Sequence, residues 1–239
     1  MNKTAIRALL IAIILPVSSY FIVKYYSEDA VIMPKHFYYD TILTTTENGK
    51  VLTDTIWHHV QNVCLTNQLG KKINLDDIKG KIIVIDFFFT RCPSICPTLT
   101  KNMYKLQQSF KNPSGKNVAD TMIVQFLSFS VDPERDSVPV LKIYADKYNV
   151  DHESWWMLTG NKKIIYDFGI NELKLGMVDG EGVDTSFIHT EKFVLLDKEH
   201  IVRGYYNGLD TTSLAYLAED IGKLMMEKNK HQKRNLFRK

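Results

Sequence analysis

Two cysteines, Cys92 and Cys96, lie in the segment Cys92-Pro93-Ser94-Ile95-Cys96-Pro97, and their spacing suits two kinds of chemistry. Two thiolates held close together can cycle through a disulfide or bind a soft metal ion. Redox pairs often have two residues between the cysteines. The three residues found here still let a disulfide close, and the wider loop suits a metal between the sulfurs. The third interpretation, a merely buried pair, is disfavoured by the flanking prolines.

The elements around this motif predict where the sulfurs lie. Residues 82–89 form a nearly continuous apolar and β-branched run, typical of a central strand buried on both faces. Pro97 fits the first turn of a helix, and apolar spacings of four, three and four continue it to Phe110. The motif therefore follows the carboxyl end of a strand, where α/β sheets bind ligands. We expect the free N–H groups of the helix to favour the thiolate at Cys96.

The remaining periodic segments complete an α/β pattern. After the first strand and helix come a second strand, a second helix, a strand pair and a final helix, at residues 123–131, 141–148, 193–196, 201–206 and 214–224. This is the order of the thioredoxin fold. We therefore predict a thioredoxin-like α/β sandwich with a mixed central sheet and an extra N-terminal hairpin.

The N-terminal residues predict a membrane anchor over residues 1–26. Lys3 and Arg7 precede an apolar run at residues 8–23, near the lower length limit for one transmembrane helix. A cleaved signal peptide is the alternative, with Val17-Ser18-Ser19 as a poor cleavage signal. In both cases the early positive charge predicts that the following chain crosses the membrane. We expect a single-pass protein of the cell membrane with its domain on the extracytoplasmic (periplasmic) side.

Charge and composition divide the rest of the chain. Polar residues 27–55 are predicted to be a linker, residues 56–227 the domain, and residues 228–239 a basic tail. We interpret the tail as a solvated end, with a contact to anionic lipid as the alternative. A net charge of +3 gives no indication of nucleic acid binding, and three cysteines, an odd number, argue against a disulfide scaffold.

His189 is the candidate for a third metal ligand. It comes directly before the predicted strand at residues 193–196, after a loop at residues 176–187 that is rich in glycine and acidic residues. In a thioredoxin-type fold, the segment before that strand faces the cysteine loop. A lone histidine is nevertheless more often structural than a ligand, so the residues alone leave its role open.

Several segments resemble the Sco/SenC family of copper-binding, thioredoxin-like cytochrome c oxidase assembly proteins. Together they cover about residues 67–226, and in chain order they are Asp86-Phe87-Phe88-Phe89-Thr90-Arg91-Cys92-Pro93-Ser94-Ile95-Cys96-Pro97, Ser130-Val131-Asp132-Pro133-Glu134-Arg135-Asp136-Ser137, Trp156-Met157-Leu158-Thr159-Gly160 and Ile188-His189-Thr190. The resemblance implies that Cys92, Cys96 and His189 bind one copper ion. It further implies a metallochaperone that delivers copper to, or prepares, the dinuclear copper site of cytochrome c oxidase, with the oxidase subunit that bears this site as its partner.

The chain departs from the family pattern at two positions. Ser94 stands where many members have an acidic residue, and Arg91 where many have a histidine. We expect the positive charge of Arg91 to lower the pKa values of both thiols. The alternative function is a thiol-disulfide oxidoreductase in which Cys92 and Cys96 reduce partner cysteines without His189. A peroxidase is a weaker option, because no peroxidase motif surrounds Cys92.

Other polar and aromatic residues have simpler interpretations. Cys64, between Val63 and Leu65, is predicted to be a buried, inert thiol. Asp86 is predicted to be a buried carboxyl with hydrogen-bond partners rather than a proton relay. Asp136 or Ser137 is predicted to cap the second helix, and the alternative for the segment 132–136 is a supporting role near the cysteine site. Trp155 and Trp156 are predicted to pack in the core or at its rim, with docking of a partner as the alternative.

Overall fold

The computed structural model describes residues 3–28, 32–47, 50–110, 123–175 and 190–227. The chain divides into two compact units, residues 1–33 and residues 34–239. The first contains one helix, α1, Lys3–Glu28. Within the described ranges no helix combines the length and the apolar character needed to cross a membrane. The predicted anchor is therefore not confirmed; Pro16, Ser18 and Ser19 interrupt the apolar run of α1.

The second unit contains two sheets. The strands are β1 Tyr39–Glu47, β2 Lys50–Trp57, β3 Cys64–Asn67, β4 Lys72–Asn74, β5 Ile82–Phe88, β6 Val124–Ser130, β7 Trp155–Thr159, β8 Lys192–Leu196 and β9 Val202–Asn207. The described part of the main sheet has seven strands in the order β4-β3-β7-β6-β5-β8-β9. The strands β5, β6 and β7 run parallel, and β3, β4, β8 and β9 pair antiparallel. The predicted mixed sheet, with β3 and β4 as its extra hairpin, is confirmed.

Helices cover both faces of this sheet. They are α2 Cys96–Phe110, α3 Val138–Lys147, α4 Lys162–Asp167, a π-helix Phe168–Glu172 and α5 Thr211–Met226. The alternating side chains of β5 enter two separate cores, with Val84 and Phe88 facing α2, α3 and α5 and Ile85 and Phe87 facing the other side. Every residue of β5 is buried, as expected for a central strand.

Several elements were not predicted. The strand β7 was interpreted only as packing aromatics, although Trp155–Thr159 pairs in parallel with β6. The helix α4 follows it after Gly160. Within the stretch predicted as a linker, β1 and β2 form an antiparallel two-stranded sheet. Their many threonines favour strands, and the Asn48-Gly49 pair between them is a strong hairpin signal that the polar composition obscured.

A buried arginine fixes the β8–β9 pair at the turn that joins the two strands. The Arg203 side chain is only 1% exposed and donates from Nη1 to Asp197 at 2.8 Å and to Glu227 at 3.0 Å. Its Nη2 donates to the carbonyl of Pro34 at 2.7 Å. One guanidinium therefore joins the strand pair, the first residue of the second unit and the residue after α5.

Replacing Arg203 should destabilise the domain. In Arg203→Met, the nearly buried Asp197 carboxylate loses its charge partner, and the free energy of unfolding should fall by about 3 kcal/mol. The matched control is Arg135→Met, because Arg135 is 65% exposed and pairs only with Asp132 among the ion pairs described; its cost should stay below about 1 kcal/mol. Urea unfolding of the copper-free protein measures both, and equal losses would contradict this role of Arg203.

Candidate metal centre

The cysteine loop follows β5 and turns directly into α2. The Cys92 N–H donates to the Phe89 carbonyl at 3.2 Å, which closes the turn after the strand. Cys96 is the first residue of α2, and Pro97 follows it in the first turn. Both cysteines are free thiols, 8% and 3% exposed. The sequence motif therefore forms what was predicted, a dithiol at the carboxyl end of a central strand.

Cys92 carries the sulfur on which hydrogen bonds converge. The Cys96 N–H, at the amino end of α2, donates to Cys92 Sγ at 3.5 Å, and Ser94 Oγ lies 3.8 Å from the same sulfur. Burial disfavours the thiolate, but hydrogen bonds from the Cys96 thiol and N–H and from Ser94 outweigh it. They lower the pKa of Cys92 to about 7. This sulfur is poised to ionise near neutral pH.

Cys96 behaves in the opposite way. Burial raises the pKa of the Cys96 thiol to about 12, and its hydrogen bond to the Cys92 sulfur raises it further than a bond from the Phe89 backbone lowers it. The prediction that the helix terminus favours the Cys96 thiolate is therefore wrong. The reason is geometric: the N–H at the beginning of the helix donates to the sulfur four residues earlier in the chain.

The predicted effect of Arg91 is not among the leading causes of the pKa shift at either thiol. Its side chain is exposed, and the leading causes of the low Cys92 pKa are burial and hydrogen bonds rather than the guanidinium charge. Ser94, which replaces the acidic residue of many family members, instead contributes directly through its backbone and hydroxyl. The departure at Ser94 thus supplies a neutral donor beside the reactive sulfur.

A buried carboxylate in the connection between β6 and α3 supports the cysteine loop. Asp136 is 1% exposed and accepts three hydrogen bonds: from Thr90 Oγ1 at 2.5 Å, from the Thr90 N–H at 3.1 Å and from Ser130 Oγ at 2.6 Å. Ser137 takes the N-cap position of α3 without a capping bond from its side chain. The predicted cap position at Ser137 is therefore confirmed, although the side-chain capping hydrogen bond is absent. Asp136 instead fixes Thr90, two residues before Cys92.

Asp86 lies inside the sheet beneath α2. Ser128 Oγ donates to its carboxylate, and Trp155 Nε1 donates to Ser128 Oγ at 2.8 Å. Burial raises the pKa of Asp86 to about 7, although hydrogen bonds from Ser128 and from its own backbone lower it. The predicted carboxyl with satisfied hydrogen bonds is confirmed, as is the core position of Trp155, which is fully buried. The sequence did not lead us to Ser128 and Ser130. The signal that could have identified them is their polar character inside an otherwise apolar strand.

Cys64 does not match its prediction. It is exposed, whereas Leu65 and Asn67 of the same strand are buried. Side chains alternate along a strand, so a buried Leu65 places Cys64 on the opposite face. Apolar sequence neighbours were therefore the wrong basis for predicting burial.

His189 lies outside the described residues, so its predicted role as a ligand stays a prediction. In the described ranges, no group of three or more histidine, cysteine or acidic residues could hold a metal ion. Thr190, the next residue, is buried at 6% exposure. The strand β8 pairs antiparallel with β5, Val194 opposite Ile85 and Leu196 opposite Ile83. The chain that precedes β8, followed backwards to Thr190, therefore leads to the carboxyl end of β5, where the cysteine loop begins.

The thiol pKa values give a test of the loop geometry. The alkylation rate of Cys92 in reduced, copper-free protein should rise with pH and reach half of its maximum near pH 7, because only the thiolate reacts. Ser94→Ala removes the hydroxyl bond and should move this midpoint to higher pH. Arg91→Ala is the control and should leave it in place. A wild-type midpoint near that of a free cysteine would contradict the hydrogen-bonded sulfur.

Comparison with known proteins gives a consistent result. The family model SCO1/SenC matches residues 58–226. A SCO1 protein homolog of Bacillus subtilis (strain 168) is 33% identical over 174 residues, which are 72% of this chain and 86% of that protein. The structure of BsSco, described as a member of the Sco family of cytochrome c oxidase assembly proteins with a disulfide switch, is 31% identical in sequence. It has a TM-score of 0.58 and covers 73% of this chain and 98% of that one.

A more distant structure shows the same fold. Bradyrhizobium japonicum ScoI, solved with copper bound, is 24% identical at a TM-score of 0.52 and covers 70% of this chain and 99% of that one. This structure therefore agrees with the more similar one in having a thioredoxin-like fold. The family model spans nearly the whole domain, from before β3 to the end of α5, and includes the dithiol loop. The chain therefore belongs to the SCO1/SenC family.

Proposed function

We propose that this protein is a copper carrier that binds one copper ion through Cys92, Cys96 and His189. The observation that carries the proposal is the pair of buried, reduced thiols, one of them with its pKa lowered to about 7, at the end of β5. Two sulfurs and one imidazole suit monovalent copper, which accepts soft ligands and a low coordination number. Zinc would prefer a fourth ligand.

The same features suit release of the ion. The two sulfurs belong to a loop and to the first residue of a helix, and the exposed Pro93 and Ser94 lie between them. An acceptor can therefore approach the loop from solvent. We propose that the acceptor is the copper-bearing subunit of cytochrome c oxidase, at its dinuclear copper site. BsSco, to which this chain is similar, is described as a member of the Sco family of cytochrome c oxidase assembly proteins.

The proposed location is the extracytoplasmic (periplasmic) side of the membrane. It is supported by the order of charges at the N-terminus, where Lys3 and Arg7 precede the apolar residues 8–23. Positive charge before such a run keeps the N-terminus inside and sends the following chain across. A domain on that side would meet an oxidase subunit whose copper site faces the same compartment.

A second candidate function is a thiol-disulfide oxidoreductase that prepares the acceptor. The observation in its favour is the wide separation of the two thiol pKa values, about 7 for Cys92 and about 12 for Cys96. Cys92 would attack a partner disulfide as the thiolate, and Cys96 would then displace the partner to leave a Cys92–Cys96 disulfide and two partner thiols. Copper binding and this exchange use the same sulfurs.

Copper binding with and without His189 tests the carrier. The reduced wild-type chain should bind one copper per molecule, and His189→Ala should weaken binding by more than about 100-fold, the upper end of what losing an outer contact costs. The matched control is His152→Ala, because His152 contacts Gln68 and Asp146, away from the cysteine loop. The measurement is competition for monovalent copper against a coloured chelator.

The opposite results would support the second candidate function, the thiol-disulfide oxidoreductase. If His189→Ala binds copper as well as the wild type, the three-ligand site is wrong. If that variant also reduces a disulfide-bonded peptide at the wild-type rate, the dithiol acts as an oxidoreductase that does not need the histidine.

A further inference from the structure

The solvent side of α2 carries basic side chains and no acidic ones. Thr98, Lys101, Lys105 and Gln108 recur at spacings of three, four and three residues, and all four are exposed. We call these four residues the outer face of α2; the apolar side of the helix is buried in the core. The helix contains no aspartate or glutamate, and neither does the longer stretch 87–119. The outer face is therefore positively charged.

The lysines of this face differ from those of the neighbouring helices. In α3 and α5, ion pairs within the helix neutralise one lysine each, Lys142 with Asp146 at 2.6 Å and Lys223 with Glu219 at 2.9 Å. Within the described part of the chain, Lys101 and Lys105 form no such pair. Lys105 Nζ instead donates a long hydrogen bond to the neutral Asn102 Oδ1 at 3.4 Å. Their charges are thus available to an outside partner.

The outer face adjoins the reactive end of the helix. Lys101 follows Cys96 by five residues, which is about 8 Å along the helix axis, and Lys105 lies one turn further. Arg91 adds a third exposed positive side chain, one residue before Cys92. The screening length is about 10 Å at about 0.1 M salt. A partner that reaches the dithiol therefore meets the charges of this face.

The acidic residues that border the cysteine loop lie on other segments. On the turn after β6, Asp132 pairs with Arg135 at 3.2 Å, which leaves Glu134 as the exposed acid of that turn. Before β8, the Glu191 carboxylate accepts a hydrogen bond from Asn207 Nδ2 at 3.2 Å. None of the ion pairs of the described residues joins these carboxylates to α2.

We propose that the outer face of α2, together with Arg91, is a docking surface for an acidic partner protein that reacts with the dithiol. The inference rests on the proposed function, since it names the chemistry of the partner that approaches the same loop. Complementary charge steers encounter and fixes the orientation of two proteins more than it adds affinity. Carboxylates of the partner would lie over Lys101 and Lys105 while its metal-binding or disulfide group faces Cys92.

A protein partner fits this surface better than a membrane does. The exposed Pro93 and Ser94 lie at the amino end of α2, next to the outer face. An anionic lipid surface placed against Lys101 and Lys105 would also cover this loop and close the approach to the sulfurs. A protein can present carboxylates to the helix and its own ligands to the loop at the same time.

The test uses two synthetic peptides and the full reduced chain. Both peptides carry the same pair of cysteines, flanked by glutamates in one and by lysines in the other. We measure the rate of copper transfer from the loaded chain to each reduced peptide. Without copper, we measure the rate at which the dithiol reduces each oxidised peptide, which gives a Cys92–Cys96 disulfide and two peptide thiols. The acidic peptide should react at least about 10-fold faster at low salt, and the ratio should approach one at about 1 M salt.

Charge reversal on two helices locates the effect. The double variant Lys101→Glu with Lys105→Glu should lower the ratio of acidic to basic peptide rates by about 10-fold or more. The matched control is Lys162→Glu with Lys163→Glu, which changes the net charge equally. These exposed lysines belong to α4, whose Ile165 packs in the core on the other side of the sheet. The control should keep the ratio within about twofold, because its charges lie beyond the screening length.

Lys101→Gln with Lys105→Gln removes the charges without reversing them and should lower the ratio by an intermediate amount. Equal rates with the two peptides in the wild type would overturn the docking surface, including the case in which the acidic residues of segment 176–187 cover α2 instead. Equal losses in the α2 and α4 variants would also overturn it, since net charge would then explain the preference.

Two further outcomes separate this inference from its alternatives. If the wild type binds phosphatidylglycerol vesicles through Lys101 and Lys105 and shows no peptide preference, the face binds anionic lipid and the inference is wrong. If the acidic peptide is preferred in disulfide exchange but takes no copper, the docking surface stands and the copper carrier fails. If copper passes to both peptides at equal rates, the carrier stands and only the docking surface fails.

Discussion

The amino end of α2 donates its first N–H to the sulfur of Cys92, and the rest of the site depends on this contact. Burial alone would keep both thiols protonated, as it does at Cys96, whose pKa is raised to about 12. The hydrogen bonds that converge on Cys92 reverse that effect and bring its pKa to about 7. One thiol is therefore ready to ionise while the other retains its proton. A soft metal ion or an incoming disulfide would meet this asymmetric pair.

The surrounding fold holds this pair from several directions. The fully buried strand β5 fixes the point at which the loop begins, and the Asp136 carboxylate of the β6–α3 connection binds Thr90 within the loop. On the other side, Asn102 and Gly208 connect α2 to the carbonyl of Glu191. The loop carries the reactive sulfurs, and neighbouring elements supply its rigidity. This division lets the loop remain accessible to a partner without losing its geometry.

Much of this arrangement could be predicted from the sequence, because the central elements have strong periodic patterns. The apolar run of β5 and the amphipathic spacing of α2 placed the dithiol correctly. The sequence could not show which sulfur receives the helix N–H, since that depends on the path of Pro93, Ser94 and Ile95. It also could not show that Asp136 binds Thr90, because the two residues are 46 positions apart.

Other errors have equally local causes. Cys64 was judged by its sequence neighbours, whereas the alternation of side chains in β3 decides its exposure. The polar composition around β1 and β2 suggested a linker, although threonine is also a good strand former. Asn102 has no distinctive sequence context, and its hydrogen bond reaches a glycine more than 100 positions away. Periodic sequence patterns cannot reveal long-range hydrogen bonds of this kind.

The most direct test of the account is the set of atoms bound to copper. X-ray absorption at the copper edge of the reduced chain, loaded with one equivalent, counts sulfur and nitrogen neighbours. We expect two sulfur scatterers and one imidazole in the wild type, and loss of the imidazole signal in His189→Ala with both sulfurs kept. A wild-type spectrum with sulfur alone, or an imidazole signal that persists without His189, would contradict the proposed copper carrier.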